Sequence, residues 1–245
     1  MSASSGRRAS RGHARRERLD IHAGGGVFGD TAPSSRGNRP RRLLRHLVPT
    51  GGSAPRRHGG APRVLMVCTA NISRSPYAEM RLRQLLGSGE TWAVTSAGVP
   101  GLVDQPMEPA MSAQARERGV SPEEVAAHRS QPVDQRILDR SALIICMAVE
   151  HRRRLVEDYP EVTGRCFTLG QLVEAVQGLE PPGGGGRRAR RISASVLVSA
   201  LGARCPAPDE SADVPDPFRR GTEFAAGVAQ RIDADLITLV PFLLR

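Results

Sequence analysis

Short apolar runs that alternate with helical patterns constrain the fold of this chain most strongly. Residues 64–68 and 142–147 are continuous apolar runs typical of buried parallel strands, and residues 92–97 and 166–169 indicate two further strands. Helical patterns are predicted at residues 76–87, 107–118, 150–157 and 192–202, and from Thr222 towards the end of the chain. Because such alternation buries a parallel sheet between helices, we expect a single three-layer α/β domain with a four-stranded parallel sheet over residues 62–245.

The positive charge is concentrated at one end of the chain. The net charge is +10, and residues 1–61 hold 13 arginines against 3 acidic residues, which leaves the remainder neutral. Residues 1–61 are also rich in Gly, Ser and Pro, so we expect a disordered arm that either touches anionic surfaces or is a passive tail. The neutral body excludes a broad electrostatic surface for nucleic acid.

The four cysteines are widely spaced and form neither a C-x-x-C pair nor a metal-ligand cluster. No apolar run reaches the length of a membrane span, and the N-terminus lacks the apolar region of a secretory signal. A reactive thiol requires a reducing compartment. These observations favour a cytoplasmic protein without a disulfide framework or transmembrane segment.

The polar loop after the first strand is the strongest functional signal. Ligands of parallel sheets bind beyond the carboxyl ends of the strands. Here Cys68 ends a strand, Arg74 follows six positions later, and Pro76 begins a helix. Backbone N–H groups at a helix start can cradle an anion, and positive surroundings favour a thiolate. Arg74 can bind two phosphoryl oxygens at once.

The remaining loop residues have distinct expected roles. We expect the cradle to comprise Thr69, Ala70, Asn71, Ile72 and Ser73, and the hydroxyl of Ser75 to hydrogen-bond the sulfur of the cysteine. Asn71 is expected to hold the shape of the loop. The spacing C-x5-R alone occurs by chance, and a buried structural thiol with a surface arginine is its alternative interpretation. The complete pattern between a strand and a helix is much more specific.

The sequence C-T-A-N-I-S-R-S-P at residues 68–76 resembles the C-T-G-N-I-C-R-S-P loop of low-molecular-weight protein tyrosine phosphatases. The resemblance implies that Cys68 is the nucleophile and forms a phosphocysteine intermediate, and that Arg74 binds the phosphate. Ala70 and Ser73 depart from the family loop. Ala70 adds a methyl group to the cradle, and Ser73 replaces a second cysteine that protects the nucleophile as a disulfide. We therefore expect hydrolysis without that reversible protection.

A second resemblance lies at residues 213–218, where D-V-P-D-P-F is similar to the acid loop of the family. It implies that Asp216 protonates the leaving phenolate and then activates water, and that Phe218 is an aromatic wall of the substrate pocket. Asp213 is the alternative acid. Arg219 stands where eukaryotic members often have a second aromatic residue.

Weaker similarities lie between these two loops. Residues 96–98 resemble the end of the second strand of the family, and His128 resembles a histidine that supports the asparagine of the loop. An ordinary surface or capping role for His128 is the alternative. The similarity covers about residues 62–245, and the glycine-rich stretch at residues 183–186 has no counterpart.

The resemblance implies a phosphotyrosine phosphatase that needs no metal or other cofactor. Its expected substrate is a phosphotyrosine protein, with a bacterial tyrosine kinase or a polysaccharide-export component as candidates. An arsenate reductase of the same fold that uses an external thiol is the main alternative, since the spacing of Cys146 and Cys166 does not resemble a disulfide shuttle. Arginine phosphatases resemble the chain too, but tend to have Thr in place of Ile72. A non-catalytic binder would be expected to lack Cys68, Arg74 or Asp216.

Overall fold

The structure is a computed structural model that describes residues 60–88, 92–180 and 193–244. Four parallel strands form one sheet in the order β2-β1-β3-β4. They are β1 (Arg63–Cys68), β2 (Ala93–Gly98), β3 (Ser141–Cys146) and β4 (Cys166–Thr168). The predicted four-stranded parallel sheet is confirmed. The predicted disordered arm (residues 1–61) lies almost wholly outside the described residues, as does the glycine-rich loop.

Helices connect the strands and cover both faces of the sheet. They are α1 (Arg74–Leu86), α2 (Pro109–Glu117), α3 (Pro122–Ala127), α4 (Gln135–Asp139), α5 (Val149–Asp158), α6 (Leu169–Val176), α7 (Ala194–Gly202) and α8 (Thr222–Leu243), with short 3-10 helices at Pro160–Arg165 and Glu210–Ala212. Five of them, α1, α2, α5, α7 and α8, were predicted from periodicity. In the part of the chain that the structure describes, no helix is both long and apolar enough to cross a membrane.

The helices that the sequence analysis missed begin at clear capping residues. Thr168 and Gln171 form a reciprocal capping box at the start of α6, with hydrogen bonds of 3.0 and 3.1 Å. Ser121 caps α3 and Asp134 caps α4 through their side chains. The helices α3 and α4 are too short for periodicity to show, and the apolar start of α6 continues directly from β4.

Two hydrophobic cores lie on opposite faces of the sheet. Val64 and Met66 face one core, with α1 and α8, whereas Leu65 and Val67 face the other. This division follows from the alternation of side chains along a strand. Because β1 is buried on both faces, it is continuously apolar from Val64 to Cys68, and polar residues follow in the loop beyond its end.

A polar cluster fixes the helix that follows the loop. The carboxylate of Asp233 in α8 accepts hydrogen bonds from the hydroxyl of Tyr77 at 3.0 Å, Nε of Arg81 at 2.8 Å and Nε of Arg118 at 2.7 Å. Its side chain is 14% exposed, so these charge-assisted bonds are partly shielded from water. The cluster joins α1 to α8 and to the end of α2, and thereby positions the start of α1.

Candidate active site

The loop between β1 and α1 is tied by its backbone to the segment after β2. The carbonyl oxygens of Cys68, Thr69 and Ala70 accept hydrogen bonds from the amides of Val99, Gly101 and Leu102, at 2.9, 2.9 and 3.2 Å. Gly98 allows this close approach, because a Cβ there would lie 2.7 Å from the carbonyl oxygen of Thr69. The loop is therefore held as an extension of the sheet.

Asn71 is the central support of the loop. It is fully buried and has a φ of 58°, a left-handed conformation in which Asn is enriched. Its Nδ2 donates to the hydroxyls of Ser75 at 3.0 Å and Ser96 at 2.8 Å, and its Oδ1 accepts from the amide of Gln131 at 3.0 Å. The carbonyl oxygen of Asn71 accepts from Nε2 of His128 at 2.8 Å. His128 thus contacts the asparagine that the family resemblance assigned to it.

The sulfur of Cys68 lies at the end of this polar network. Its Sγ is 3.0 Å from the hydroxyl oxygen of Ser75, and its side chain is almost fully buried. The hydroxyl of Ser75 accepts a hydrogen bond from Asn71 and can give its own hydrogen to the carbonyl oxygen of Ala97 at 3.4 Å or, at the shorter distance, to the sulfur. A thiolate at this position would be stabilised by that bond.

Arg74 joins the loop to the distant acid loop. Its NH1 donates to the carbonyl oxygen of Val214 at 3.0 Å, and its NH2 donates to Oδ2 of Asp216 at 3.0 Å and to Oγ1 of Thr69 at 3.3 Å. Nε of Arg74 and the hydroxyl of Ser73 are buried without a hydrogen-bond partner among the described residues. Both remain available to a ligand, and the guanidinium fits an anion.

These residues surround a pocket of about 170 Å³. It is lined by Cys68, Thr69, Ala70, Ile72, Ser73, Arg74, Leu102, Asp216 and Phe218. Asn71 and Ser75, which were also predicted to bind substrate, are fully buried and do not line the pocket, so they contact the loop itself. Leu102 was not predicted. Its only sequence signal is its position just after β2, at the same edge of the sheet.

Polar and apolar side chains both line the pocket. Thr69, Ser73, Arg74 and Asp216 are polar, whereas Ala70, Ile72, Leu102 and Phe218 provide apolar surface. The ring of Phe218 is 44% exposed, as expected of a wall at the mouth of a pocket. The arrangement can bind an anion beside a sulfur nucleophile and contact an apolar group that the anion carries.

His151 in α5 is a further residue that the sequence analysis missed. Its Nε2 lies 2.9 Å from Oγ1 of Thr69, and it is buried. Burial, with the nearby charge of Arg74, lowers the pKa of His151 to about 4, and Asp216 opposes this in part. A hydrogen bond thus joins the neutral imidazole to the hydroxyl of Thr69, which also accepts from Arg74. The contact with His151 therefore holds the hydroxyl of Thr69 beside the guanidinium of Arg74.

Asp213, the alternative acid, has a different environment. Its Oδ1 accepts from the amide of Val149 at the start of α5, at 2.8 Å, and it does not line the pocket. Burial raises the pKa of Asp213, while the bond from Val149 partly opposes the shift. The geometry thus assigns Asp213 to anchoring the acid loop and leaves Asp216 at the pocket.

Cys146 and Cys166 are neighbours in space although they are 20 residues apart. Their sulfurs are 3.7 Å apart on the adjacent strands β3 and β4, and both side chains are fully buried. Burial, followed by the hydrogen bond to Cys166, raises the pKa of Cys146 well above its usual value. Neither residue lines the pocket, so an external thiol has no direct path to them.

Comparison with known proteins shows similarity to phosphatases. The model of the family "Low molecular weight phosphotyrosine protein phosphatase" matches residues 63–189. The phosphatase Etp of Escherichia coli K12 is 36% identical over 111 residues, 45% of this chain and 71% of that protein. A protein-arginine-phosphatase of Geobacillus stearothermophilus is 32% identical over 145 residues, 57% of this chain and 93% of that protein. The structure of the tyrosine phosphatase from T. tengcongensis superposes with a TM-score of 0.54 and 26% identity, over 74% of this chain and 98% of that one. The chain therefore belongs to the low molecular weight phosphotyrosine protein phosphatase family.

Proposed function

We propose that this phosphatase hydrolyses phosphotyrosine in proteins through a phosphocysteine intermediate. The observation that carries the proposal is the meeting of Cys68, Arg74 and Asp216 in one pocket with an apolar wall. We propose residues 62–245 as the phosphatase domain. A reduced Cys68 is required, so we place the enzyme in the cytoplasm. A bacterial tyrosine kinase or a polysaccharide-export component is the proposed partner class.

The first step transfers the phosphoryl group to sulfur. The guanidinium of Arg74 and the loop amides bind the phosphate dianion and stabilise the charge of the transition state. The thiolate of Cys68 attacks phosphorus in line, so that a P–S bond forms as the P–O bond to the phenol breaks. Asp216, protonated at this stage, gives its proton to the departing phenolate.

The second step releases phosphate. The carboxylate of Asp216 takes a proton from a water molecule, whose oxygen attacks phosphorus and breaks the P–S bond. The sulfur leaves as a thiolate that accepts the hydrogen bond of Ser75. Arg74 and the backbone dipoles supply the charge stabilisation, and the mechanism uses no metal.

The apolar residues that line the pocket favour phosphotyrosine over phosphoarginine. The similarity to a protein-arginine-phosphatase makes phosphoarginine the second candidate substrate. Phosphoarginine carries a polar guanidinium group that a carboxylate would recognise. Among the residues that line the pocket, Asp216 is the one carboxylate, and the proposed mechanism uses it as the proton donor. Ile72, Leu102 and Phe218 offer a phenyl ring the better surface.

The test is turnover of phenyl phosphate, a phosphotyrosine peptide and a phosphoarginine peptide in excess chelator, with Cys68→Ser as the inactive control. We expect phosphotyrosine to be preferred and Cys68→Ser to be inactive. Preference for phosphoarginine would replace the proposed substrate. Complete loss of activity in chelator would contradict the metal-free mechanism. Inactivity on all three substrates, with reduction of arsenate by a small thiol, would overturn the proposal in favour of an arsenate reductase.

A further inference from the structure

A second cavity lies beside the acid loop, outside the active-site pocket. It has a volume of about 530 Å³ and is formed with the first turns of α8. It is lined by Pro215, Arg220, Glu223, Phe224, Gly227, Val228 and Arg231. Pro215 directly precedes Asp216, which lines the active-site pocket. The short segment 215–218 therefore contributes residues to both cavities. We call the second cavity the α8 groove.

Two arginines beside this segment are held on aromatic rings. The guanidinium carbon of Arg220 lies 3.5 Å from the centre of the Phe224 ring, and that of Arg219 lies 5.0 Å from the centre of the Phe218 ring. An arginine donates all its N–H groups in the plane of the guanidinium. Contact between the face of the guanidinium and the ring therefore restricts the arginine side chain but leaves its N–H groups free to bind a carboxylate.

The charges of the groove are incompletely paired. Arg231 is bound to Asp235 at 2.8 Å. Within the described ranges, neither Arg219 nor Arg220 forms an ion pair with a carboxylate, although Glu223 also lines the groove. The floor contains the apolar groups of Phe224 and Val228. The groove thus combines an apolar surface with free guanidinium donors at the edge of the active site.

We propose that the α8 groove binds a segment of the phosphoprotein substrate that carries a carboxylate near the phosphotyrosine. The carboxylate pairs with Arg220, supported by Arg219, while apolar atoms of the segment contact Phe224 and Val228. An acidic segment fits better than a basic one, because the unpaired charges of the groove edge are mainly positive. This inference rests on the proposed phosphotyrosine phosphatase function and adds a preference for acidic sequences.

The expected effect is moderate because both arginines are exposed. Exposed ion pairs contribute little each, and their contribution falls with salt. Stacking on the rings reduces the conformational entropy that is lost on binding. We expect about a fivefold change in kcat/KM for one charge pair, the upper part of the range for exposed pairs.

The experiment uses pairs of phosphotyrosine peptides in which Asp is exchanged for Asn, or Glu for Gln, on either side of the phosphotyrosine. The readout is the ratio of kcat/KM between the acidic and the neutral peptide of each pair. We expect the full chain to prefer an acidic peptide, and Arg220→Gln to lower the ratio about fivefold. Glu223→Gln should raise the ratio, because it removes the carboxylate of the groove. Arg136→Gln is the matched control. Arg136 is an exposed arginine of α4, which leads into the start of β3, at the edge of the sheet opposite to the active site.

The outcomes separate this inference from the proposed function. Equal turnover of acidic and neutral peptides, or a ratio that Arg220→Gln and Arg136→Gln change equally, would overturn the inference and leave the phosphatase assignment intact. A preference for acidic peptides that persists unchanged at high salt would also count against it. If no phosphotyrosine peptide is turned over at all, the proposed function fails and the inference with it.

Discussion

The guanidinium of Arg74 contacts the carboxylate of Asp216 at 3.0 Å, although the two residues are 142 positions apart in the sequence. Arg74 lies at the end of the loop between β1 and α1, which we call the phosphate loop, and Asp216 lies in the acid loop at residues 213–218. A phosphate dianion would compete with Asp216 for the same N–H group. In the proposed mechanism, binding of the substrate would therefore free the carboxyl group of Asp216 for proton transfer.

We expect Asp216→Asn to lower kcat for a phosphotyrosine peptide by about 10²–10⁴-fold, the usual contribution of general acid–base catalysis. The loss should be smaller for p-nitrophenyl phosphate, because nitrophenolate leaves readily without a proton. Steady-state kinetics on both substrates measures the difference.

The matched control for this change is Asp213→Asn, which keeps an oxygen that can accept from the amide of Val149. We expect kcat to stay near the wild-type value. A loss as large as that of Asp216→Asn would move the acid role to Asp213.

The buried His151 predicts a dependence of stability on pH. Its folded-state pKa of about 4 lies below its unfolded value of 6.5, so the unfolded chain binds the proton first as the pH falls. The free energy of unfolding should therefore decrease between pH 6.5 and 4, by at most about 3 kcal/mol from this residue. Urea denaturation across this range measures it.

His151→Gln should flatten that part of the profile, since glutamine does not titrate. Carboxylates that titrate in the same range contribute equally to both proteins, so the difference between the two profiles isolates His151. Parallel profiles would show that the imidazole is not held neutral.

Gly98 tests the close approach of β2 to the phosphate loop. A Cβ at this position would lie 2.5 Å from Cα of Gly101 and 2.7 Å from the carbonyl oxygen of Thr69. We expect Gly98→Ala to destabilise the fold by about 1–3 kcal/mol through overpacking. It should also lower kcat/KM by about 10²-fold, because the loop would shift. Thermal unfolding and kinetics check both effects.

Gly164→Ala is the corresponding control, since a Cβ there meets no atom within 4 Å. Its activity should match that of the wild type. Equal effects of the two substitutions would mean that the tight contact at Gly98 does not fix the loop.

The cysteines should differ in their reaction with iodoacetate. We expect this anion to modify Cys68 first, because Arg74 attracts it into the pocket, and phosphate should protect the residue. Cys146 and Cys166 should react only after unfolding, since both are fully buried. Burial also raises the pKa of Cys205 to about 11, which keeps it a poorly reactive thiol at neutral pH. Peptide mass spectrometry identifies the labelled sites, and early labelling of Cys146 would contradict the buried arrangement.

The sequence predicts the sheet and the phosphate loop well because their signals are local. A strand buried on both faces must be apolar throughout, so residues 64–68 and 142–147 are visible without any tertiary information. Cys68 and Arg74 lie within one segment of nine residues, so the sequence alone brings them into the same loop. Asp216 could be found only through a second motif, which the family resemblance supplied.

The missed residues depend on contacts between distant segments. His151 is an ordinary residue of a polar helix in the sequence, and only the packing of α5 brings it to Thr69. Leu102 reaches the pocket through the backbone bond between its amide and Ala70. The spacing of Cys146 and Cys166 gave no indication of their contact, because neighbouring parallel strands pair residues that are far apart in the chain.

The backbone bonds between the phosphate loop and residues 99–102 have a mechanical consequence. They join the floor of the pocket and the wall at Leu102 into one piece, continuous with β1 and β2. Asp216 and Phe218 belong to a separate segment, joined to that piece through Arg74 and through the bond from the amide of Val214 to the carbonyl oxygen of Met147. One side of the pocket is thus continuous with the sheet, whereas the side that carries Asp216 and Phe218 lies on a separate segment. We expect a bulkier aryl group to displace the segment that carries Asp216 rather than Leu102, which the backbone bonds hold in place beside the loop that carries the sulfur.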